Sequence, residues 1–345
     1  MTPGRSTIIK ILVADNLPES FVTALVAAGH ECVTDTALMR ESLPGALVGV
    51  EVLVVRSTEV TSKVLTDADS LRLVVRAGSG TNTIDCEAAS ARKILVANVP
   101  GRNAIAVAEL TMGLLLATDR AIADNVAGLR AGRWDKRRFS QVGQGLYGRR
   151  IGIVGLGSIG MEVAMRAQAF GMHIAALNRA TRSAETSIRV EQLGVRLFAD
   201  MVELAEHVDV LTLHVPLSSQ TENLVDAGVL DALAPGILIN TSRAAVVDTD
   251  ALVAHLDAGT LAAGLDVFPD EPSAGTADWD SPLARHPRVV GTHHIGASTE
   301  QAQTAVVEGA LEIIAAFGRG ELLNVVNATS ATSATSATQT SRARE

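Results

Sequence analysis

The chain has 345 residues, 47% hydrophobic, 19% charged and 3% aromatic, with a formal net charge of −9; at about 150 residues per domain it is a two-domain chain, long enough to bury real cores. An acidic, aromatic-poor composition lacks the basic footprint and stacking platforms of nucleic-acid binders, and two cysteines, Cys32 and Cys86, make no disulfide framework. No apolar run reaches bilayer length or forms a signal-peptide core, so the expectation is a soluble, cytoplasmic protein without membrane or nucleic-acid partners.

Taken in order, Ile8–Ala14, Val52–Val55, Leu71–Val75 and Ile94–Ala97 read as buried strands. Between the first two, Pro18–Ala28 stacks Phe21 on Leu25 and Val22 on Val26 at i,i+4, and Gly29 supplies the stop. Pro100-Gly101 breaks this βα pattern, and one long helical stretch is predicted from Asn103 to Ala131. A second series follows, with strands at Ile151–Val154, His173–Leu177, Val208–Leu213, Ile237–Asn240, Leu261–Val267 and Val289–Thr292, and a last helix at Ser298–Phe317. The fold class is therefore α/β, with two doubly wound parallel-sheet domains. Residues 328–345 are Ser/Thr/Ala repeats, too polar and repetitive to order themselves, and read as a flexible tail.

Gly155-Leu156-Gly157-Ser158-Ile159-Gly160 follows an apolar strand and opens a helix. In that context the first glycine makes the tight turn and the second admits a pyrophosphate. The third lets helix and strand pack, and the helix N-terminus faces the phosphates. The end of the next strand is where an NAD site places Asp or Glu against the ribose hydroxyls. Here Asn178 and Arg179 stand there, with Arg182 nearby. A missing carboxylate removes repulsion of a 2′-phosphate, and Arg179 offers it a charge-assisted bond, so NADP(H) is favoured over NAD(H), which stays the alternative.

Three polar groups lie just beyond strands of the second series, on the edge where open α/β sheets bind ligands. They are Arg243, Glu271 and His294, and they suit hydride transfer beside a carboxylate. An imidazole moves the hydroxyl proton, a carboxylate fixes its tautomer, and a guanidinium clamps the substrate carboxylate. Alone, each has a plainer reading as a strand-end cap or surface charge, and His214, His286 and His293 compete with His294. No metal is called for.

Val55–Thr58, Arg76–Gly80, Asn98–Gly101, Ala108–Leu110, Val154–Gly160, His214–Leu217, Asn240–Arg243, Asp266–Phe268 with Glu271-Pro272, and His294–Thr299 together resemble the D-isomer-specific 2-hydroxyacid dehydrogenases over residues 8–327. Within them the phosphoglycerate dehydrogenases of serine biosynthesis are the most similar branch. The resemblance implies that Arg243, Glu271 and His294 are catalytic. It implies cofactor contacts at Gly155, Gly157, Ser158, Ile159, Gly160, Asn178, Arg179, His214, Pro216, Thr241 and Asp266, and substrate contacts at Arg56, Ser57, Arg76, Gly78, Ser79 and Gly80. It further implies a flavodoxin-like substrate domain from 1–100 and 297–327, with a Rossmann dinucleotide domain, 101–296, inserted in it. The substrate lies in the cleft between them, and nucleotide domains pair into a homodimer or a dimer of dimers.

Arg56 and Arg76 match positions that bind substrate in phosphoglycerate dehydrogenases, and Lys136-Arg137-Arg138 resembles a basic stretch brought in from the neighbouring subunit. Three departures stand out: Ala244 and Ala245 replace glycines, His293 replaces proline, and Asn178-Arg179 replaces an acidic residue. The last is closer to NADPH-linked glyoxylate and hydroxypyruvate reductases, which are the alternative function. A nucleotide-sensing corepressor-like binding protein is the alternative of another class. The regulatory domain of longer relatives has no counterpart after residue 327, so no feedback by serine through such a domain is expected.

Overall fold

The computed structural model describes residues 8–38, 40–178, 182–272 and 276–327, so Arg179 and the 328–345 segment lie outside the described residues. The chain divides into two compact units, Met1–Asn103 with Glu300–Glu345, and Ala104–Thr299 inserted between them. The first runs β1 (Lys10–Val13), α1 (Glu19–Ala27), β2 (Glu31–Thr34), α2 (Leu43–Ala46), β3 (Val52–Val55), α3 (Ser62–Thr66), β4 (Leu73–Arg76), α4 (Cys86–Ala91) and β5 (Leu95–Asn98). The second begins with α5 (Ala104–Asp119), α6 (Ile122–Arg130) and α7 (Lys136–Phe139). It continues through β6 (Arg150–Val154), α8 (Ser158–Ala169), β7 (His173–Leu177), α9 (Ala184–Gln192), β8 (Arg196–Phe198), α10 (Met201–His207) and β9 (Val210–Leu213). It ends with α11 (Ala227–Leu233), β10 (Gly236–Asn240), α12 (Thr249–Asp257), β11 (Leu261–Leu265) and β12 (Val289–Gly291), after which α13 (Glu300–Gly318) returns to the first unit.

The first unit is a five-stranded parallel sheet in the order β2-β1-β3-β4-β5. Every residue of β3 is buried, because helices cover both faces of a parallel sheet. Leu53 and Val55 point into one core layer and Val52 and Val54 into the other, the two-residue alternation of a strand. Helix α13 lays Val306, Val307, Ala310, Ile313 and Ile314 on that second layer, at the spacing of one helical face. The edge at β5 is closed by residues after α13. Val326 donates its N–H to the Val96 carbonyl, and Asn327 accepts from the Val96 N–H at 2.7 Å and donates to the Ile94 carbonyl at 2.9 Å.

The second unit is a seven-stranded parallel sheet in the order β12-β11-β10-β9-β6-β7-β8. The strand order reverses direction between β6 and β9, the switch point at which such sheets open a crevice. Several helices here start on aspartate caps, Asp200, Asp226 and Asp248 each accepting backbone N–H groups of the first turn.

Three elements depart from the sequence reading. The predicted single helix over Asn103–Ala131 is two, because Ala121 takes a left-handed φ of 47° between α5 and α6. Strands β2 and β8 were not expected. Both are sheet edges with mostly exposed side chains, so neither needs the apolar run that marks a buried strand. Both cysteines are free. Among the described residues no helix is long and apolar enough to cross a membrane, and no His/Cys/Asp/Glu group could hold a metal.

Candidate active site

The glycine loop connects β6 to α8 at the switch point. Gly155 has φ +100°, and a Cβ there would sit 2.5 Å from the His214 carbonyl oxygen, so only glycine fits the turn. A Cβ on Gly160 would collide with the Gly155 carbonyl oxygen, which is close helix–strand packing. Gly157 differs: a Cβ there would meet nothing within 4 Å, so packing within the protein does not require glycine. The open space lies at the N-cap of α8, whose first turn has no side-chain cap, leaving N–H groups of Ser158, Ile159 and Gly160 to face an anion. These residues fit a dinucleotide pyrophosphate.

Asn178 directly follows β7 and its N–H donates to the Phe198 carbonyl at 2.7 Å. The residue that follows β7 is thus an amide and not a carboxylate. Arg182 is engaged with the Leu177 carbonyl at 2.7 Å. After β9, the His214 ring shares a 2.9 Å hydrogen bond through Nε2 with Thr212 Oγ1, while its buried Nδ1 has no partner. Burial lowers its pKa to about 3, so the imidazole is neutral. Thr241 is buried and shares a 3.1 Å hydroxyl contact with Thr111. Pro216 is exposed, and its carbonyl accepts from Thr221 Oγ1.

Beyond β10, β11 and β12, on the same C-terminal edge, stand Arg243, Glu271 and His294. His294, not His293, meets Glu271: its Nδ1 lies 2.5 Å from Glu271 Oε1. Nε2 is thereby left for another partner. Glu271 Oε2 accepts the Phe268 N–H at 3.2 Å. Burial pushes the Glu271 pKa up, but the hydrogen bond and charge of His294, the Phe268 N–H and the Arg243 charge outweigh it. The carboxyl is held below its ordinary range. Arg243 is partly buried, which lowers its pKa against the opposing pull of Glu271, and its Nη1 donates to the Ser242 carbonyl at 2.6 Å. Ala244 and Ala245 enter a 3-10 turn, Ala244–Val246, and neither has the positive φ that would call for glycine.

Two buried groups that hold this edge in place were not singled out as such in the sequence. Asn240 accepts from the Ser242 N–H and hydroxyl and donates to the Arg243 carbonyl, fixing the arginine loop. Asp266, expected at the cofactor, is 1% exposed. It accepts from Thr292 Oγ1 at 2.7 Å and from the N–H groups of Ile295 and Gly296 at 2.8 Å each. These bonds clamp the residues on both sides of His294, whose φ is +52°. A cavity of about 580 Å³, lined in part by Arg150, His173, Arg196 and His207, lies at the opposite edge of this sheet.

The expected substrate residues belong to the first unit. Arg56, Ser57 and Thr58 follow β3, and all three N–H groups converge on Asp15 Oδ2 at 2.6, 3.1 and 3.0 Å. Ser57 Oγ donates to Asp15 Oδ1 at 2.7 Å. Arg76 closes β4 and folds over Gly78, whose φ of +153° and missing Cβ make room for the guanidinium. Ser79 Oγ lies 2.9 Å from Asn103 Oδ1. Lys136-Arg137-Arg138 form an exposed short helix in the second unit, capped by Asp135, with Arg138 3.8 Å from Asp124.

A glycine loop at the switch point of a doubly wound sheet, with a histidine–carboxylate pair and an arginine on the same edge, is an arrangement suited to holding a dinucleotide beside a proton-carrying group. The model of the D-isomer specific 2-hydroxyacid dehydrogenase NAD-binding domain matches residues 112–296, and this chain belongs to that family. It is 41% identical to a D-3-phosphoglycerate dehydrogenase of Methanocaldococcus jannaschii over 92% of this chain and 59% of that protein. It is 38% identical to a hydroxypyruvate reductase of Thermotoga maritima over 86% of this chain and 94% of that one. Among solved structures, an NADPH-dependent glyoxylate/hydroxypyruvate reductase of Sinorhizobium meliloti, complexed with NADP and malonate, superposes with a TM-score of 0.77 at 31% identity. That match covers 93% of this chain and 97% of the other. The chain thus spans about three-fifths of the length of the M. jannaschii phosphoglycerate dehydrogenase.

Proposed function

We propose that this chain interconverts 3-phosphoglycerate and phosphohydroxypyruvate, with Arg243, Glu271 and His294 as the catalytic residues. One observation carries the chemistry: the 2.5 Å His294–Glu271 pair stands on the sheet edge that also holds the glycine loop. The nicotinamide, when bound, supplies the acceptor or donor of the C2 hydride. His294 Nε2 takes the substrate hydroxyl proton as the carbonyl forms and returns it in the reverse direction. Glu271, kept ionised by its surroundings, fixes the tautomer through Nδ1 and supports the imidazolium. Arg243 clamps the substrate carboxylate. Gly155, Gly157, Ser158, Ile159 and Gly160 hold the pyrophosphate, with Asn178, Arg179, His214, Pro216, Thr241 and Asp266 around the rest of the cofactor.

Arg56 and Arg76 take the phosphate, and Gly78–Gly80 complete the substrate set; Ser57, expected there as well, spends its N–H and its hydroxyl on Asp15. The identity to phosphoglycerate dehydrogenases supports this choice. The protein works as a homodimer, Lys136–Arg138 reaching the partner's site.

A second reading, an NADPH-dependent reductase of unphosphorylated 2-keto acids, is favoured by Asn178 at the end of β7, where no carboxylate repels a 2′-phosphate. The test is a two-by-two comparison of initial rates, crossing phosphohydroxypyruvate and hydroxypyruvate with NADH and NADPH. A preference for the phosphorylated acid with either cofactor supports the first reading. A preference for hydroxypyruvate with NADPH replaces it with the second.

A further inference from the structure

The turn after β3 is organised by a residue that nothing in the reaction scheme employs. Asp15 lies two residues past the end of β1, after the buried Ala14, and is 9% exposed. Its Oδ2 collects three successive N–H groups, those of Arg56, Ser57 and Thr58, and its Oδ1 accepts the Ser57 hydroxyl. Consecutive N–H groups converging on one point form an anion-binding concavity. Here the protein's own carboxylate fills it, so none of these three N–H groups is left for a substrate anion. The burden passes to the Arg56 side chain. Among the described residues no hydrogen bond or ion pair involves that guanidinium, although its backbone is held by a 2.6 Å bond.

A rigid base under an uncommitted cation is what capture of a second anionic group needs, since ordering a loose arginine at binding costs affinity. We propose that Asp15 is a positioning residue for substrate selection, holding Arg56 ready for the phosphate remote from the reacting carbon. This rests on the reading that the substrate is phosphorylated. The direction in which Asp15 titrates agrees: burial raises its pKa, but the three N–H groups and the Ser57 hydroxyl outweigh it and keep the carboxylate ionised.

The experiment measures KM and kcat for phosphohydroxypyruvate and hydroxypyruvate in the full chain and in Arg56→Met, Asp15→Ala, Asp15→Asn and the Asp15→Ala/Arg56→Met pair. Arg56→Met tests the substrate reading alone: it should raise the phosphohydroxypyruvate KM far more than the hydroxypyruvate KM. If the ratio of the two does not move, the phosphorylated-substrate reading fails and this proposal falls with it. Given a shift, Asp15→Ala should raise the phosphohydroxypyruvate KM about tenfold, kcat staying within about threefold. Asp15→Asn, which keeps an acceptor for the N–H groups, should recover most of the loss.

The double variant should be no worse than Arg56→Met, because two residues acting through one contact do not add. A purely structural Asp15 gives a different pattern, with equal losses for both substrates or losses that add to those of Arg56→Met. Either result overturns the positioning role and leaves the substrate reading intact. Should Asp15→Ala not fold, Ser57→Ala removes one Asp15 contact and should shift the same ratio about twofold in the same direction. No shift there, with a folded protein, counts against the proposal.

Discussion

Both units solve one structural problem with the same device, and they end with opposite surroundings for the residue they present. In each, a buried aspartate at the end of one strand gathers donors from the loop after the neighbouring strand: Asp15 after β1 serves the loop after β3, and Asp266 after β11 serves the loop after β12. In the second unit the presented His294 meets Glu271, whose carboxylate also faces the Arg243 charge. In the first unit the presented Arg56 guanidinium forms no ion pair among the described residues. A proton carrier needs a partner that fixes which nitrogen holds the proton. A cation meant for an incoming anion is best left unneutralised, because a resident carboxylate would have to be displaced first.

The comparison breaks most visibly at the proton carrier. His294→Ala and Arg243→Ala should each lower turnover by about 10³-fold, while nucleotide binding, followed by quenching of protein fluorescence or by calorimetry, persists. Near-normal turnover in either variant rejects the assigned roles. A smaller effect is expected where the device itself is weakened. Asp266→Asn should cost about a hundredfold in kcat, since a misplaced base is a poor one. It should also lower Tm, because a buried carboxylate with three donors is replaced by an amide that cannot accept them all. A kcat unchanged alongside a lower Tm would reduce Asp266 to a fold element.

The smallest effect is in acid. Asp15 and Glu271 both have folded pKa values below their ordinary ones. The stability they contribute is therefore present above about pH 4, the unfolded value, and is lost as the pH falls through the folded one. Asp15→Asn should thus flatten the fall of Tm between neutral pH and acid, and a curve parallel to that of the unsubstituted chain would count against an ionised Asp15.

Much of this was legible in the sequence, and what was not has a common cause. Apolar runs bounded by turns mark β3, β6, β9 and β10, and the polar groups just beyond them mark the edge that bears the site. The glycine loop reads directly because its three glycines are spaced within six residues between an apolar strand and a helix, although Gly155 answers to the distant His214 carbonyl. Asp15 lies 41 to 43 residues before the groups it binds, and Asp266 lies 26 to 30 before its own. Nothing local distinguishes either from a surface aspartate until the neighbouring strand is placed. The turn at Ala121 was hidden for the opposite reason: no glycine or proline announces it, and alanine accepts a left-handed φ there. The edge strands β2 and β8 carry no apolar period because one flank of each is bare.

The divided first unit also bears on how the chain is made. One whole core layer of its sheet needs Val306–Ile314 from α13, and the β5 edge needs Val325 to Asn327. During synthesis β1 to β5 leave the ribosome with that layer covered only in part, by Phe21 and Leu25 of α1, and the rest stays bare through the roughly 200 residues of the inserted unit at about 5–20 residues per second. The inserted unit, although second in sequence, is the first with all of its strands in hand. For about ten seconds or more the nascent chain therefore exposes a strip of valines and isoleucines beside an open β edge, the kind of surface that holding chaperones recognise.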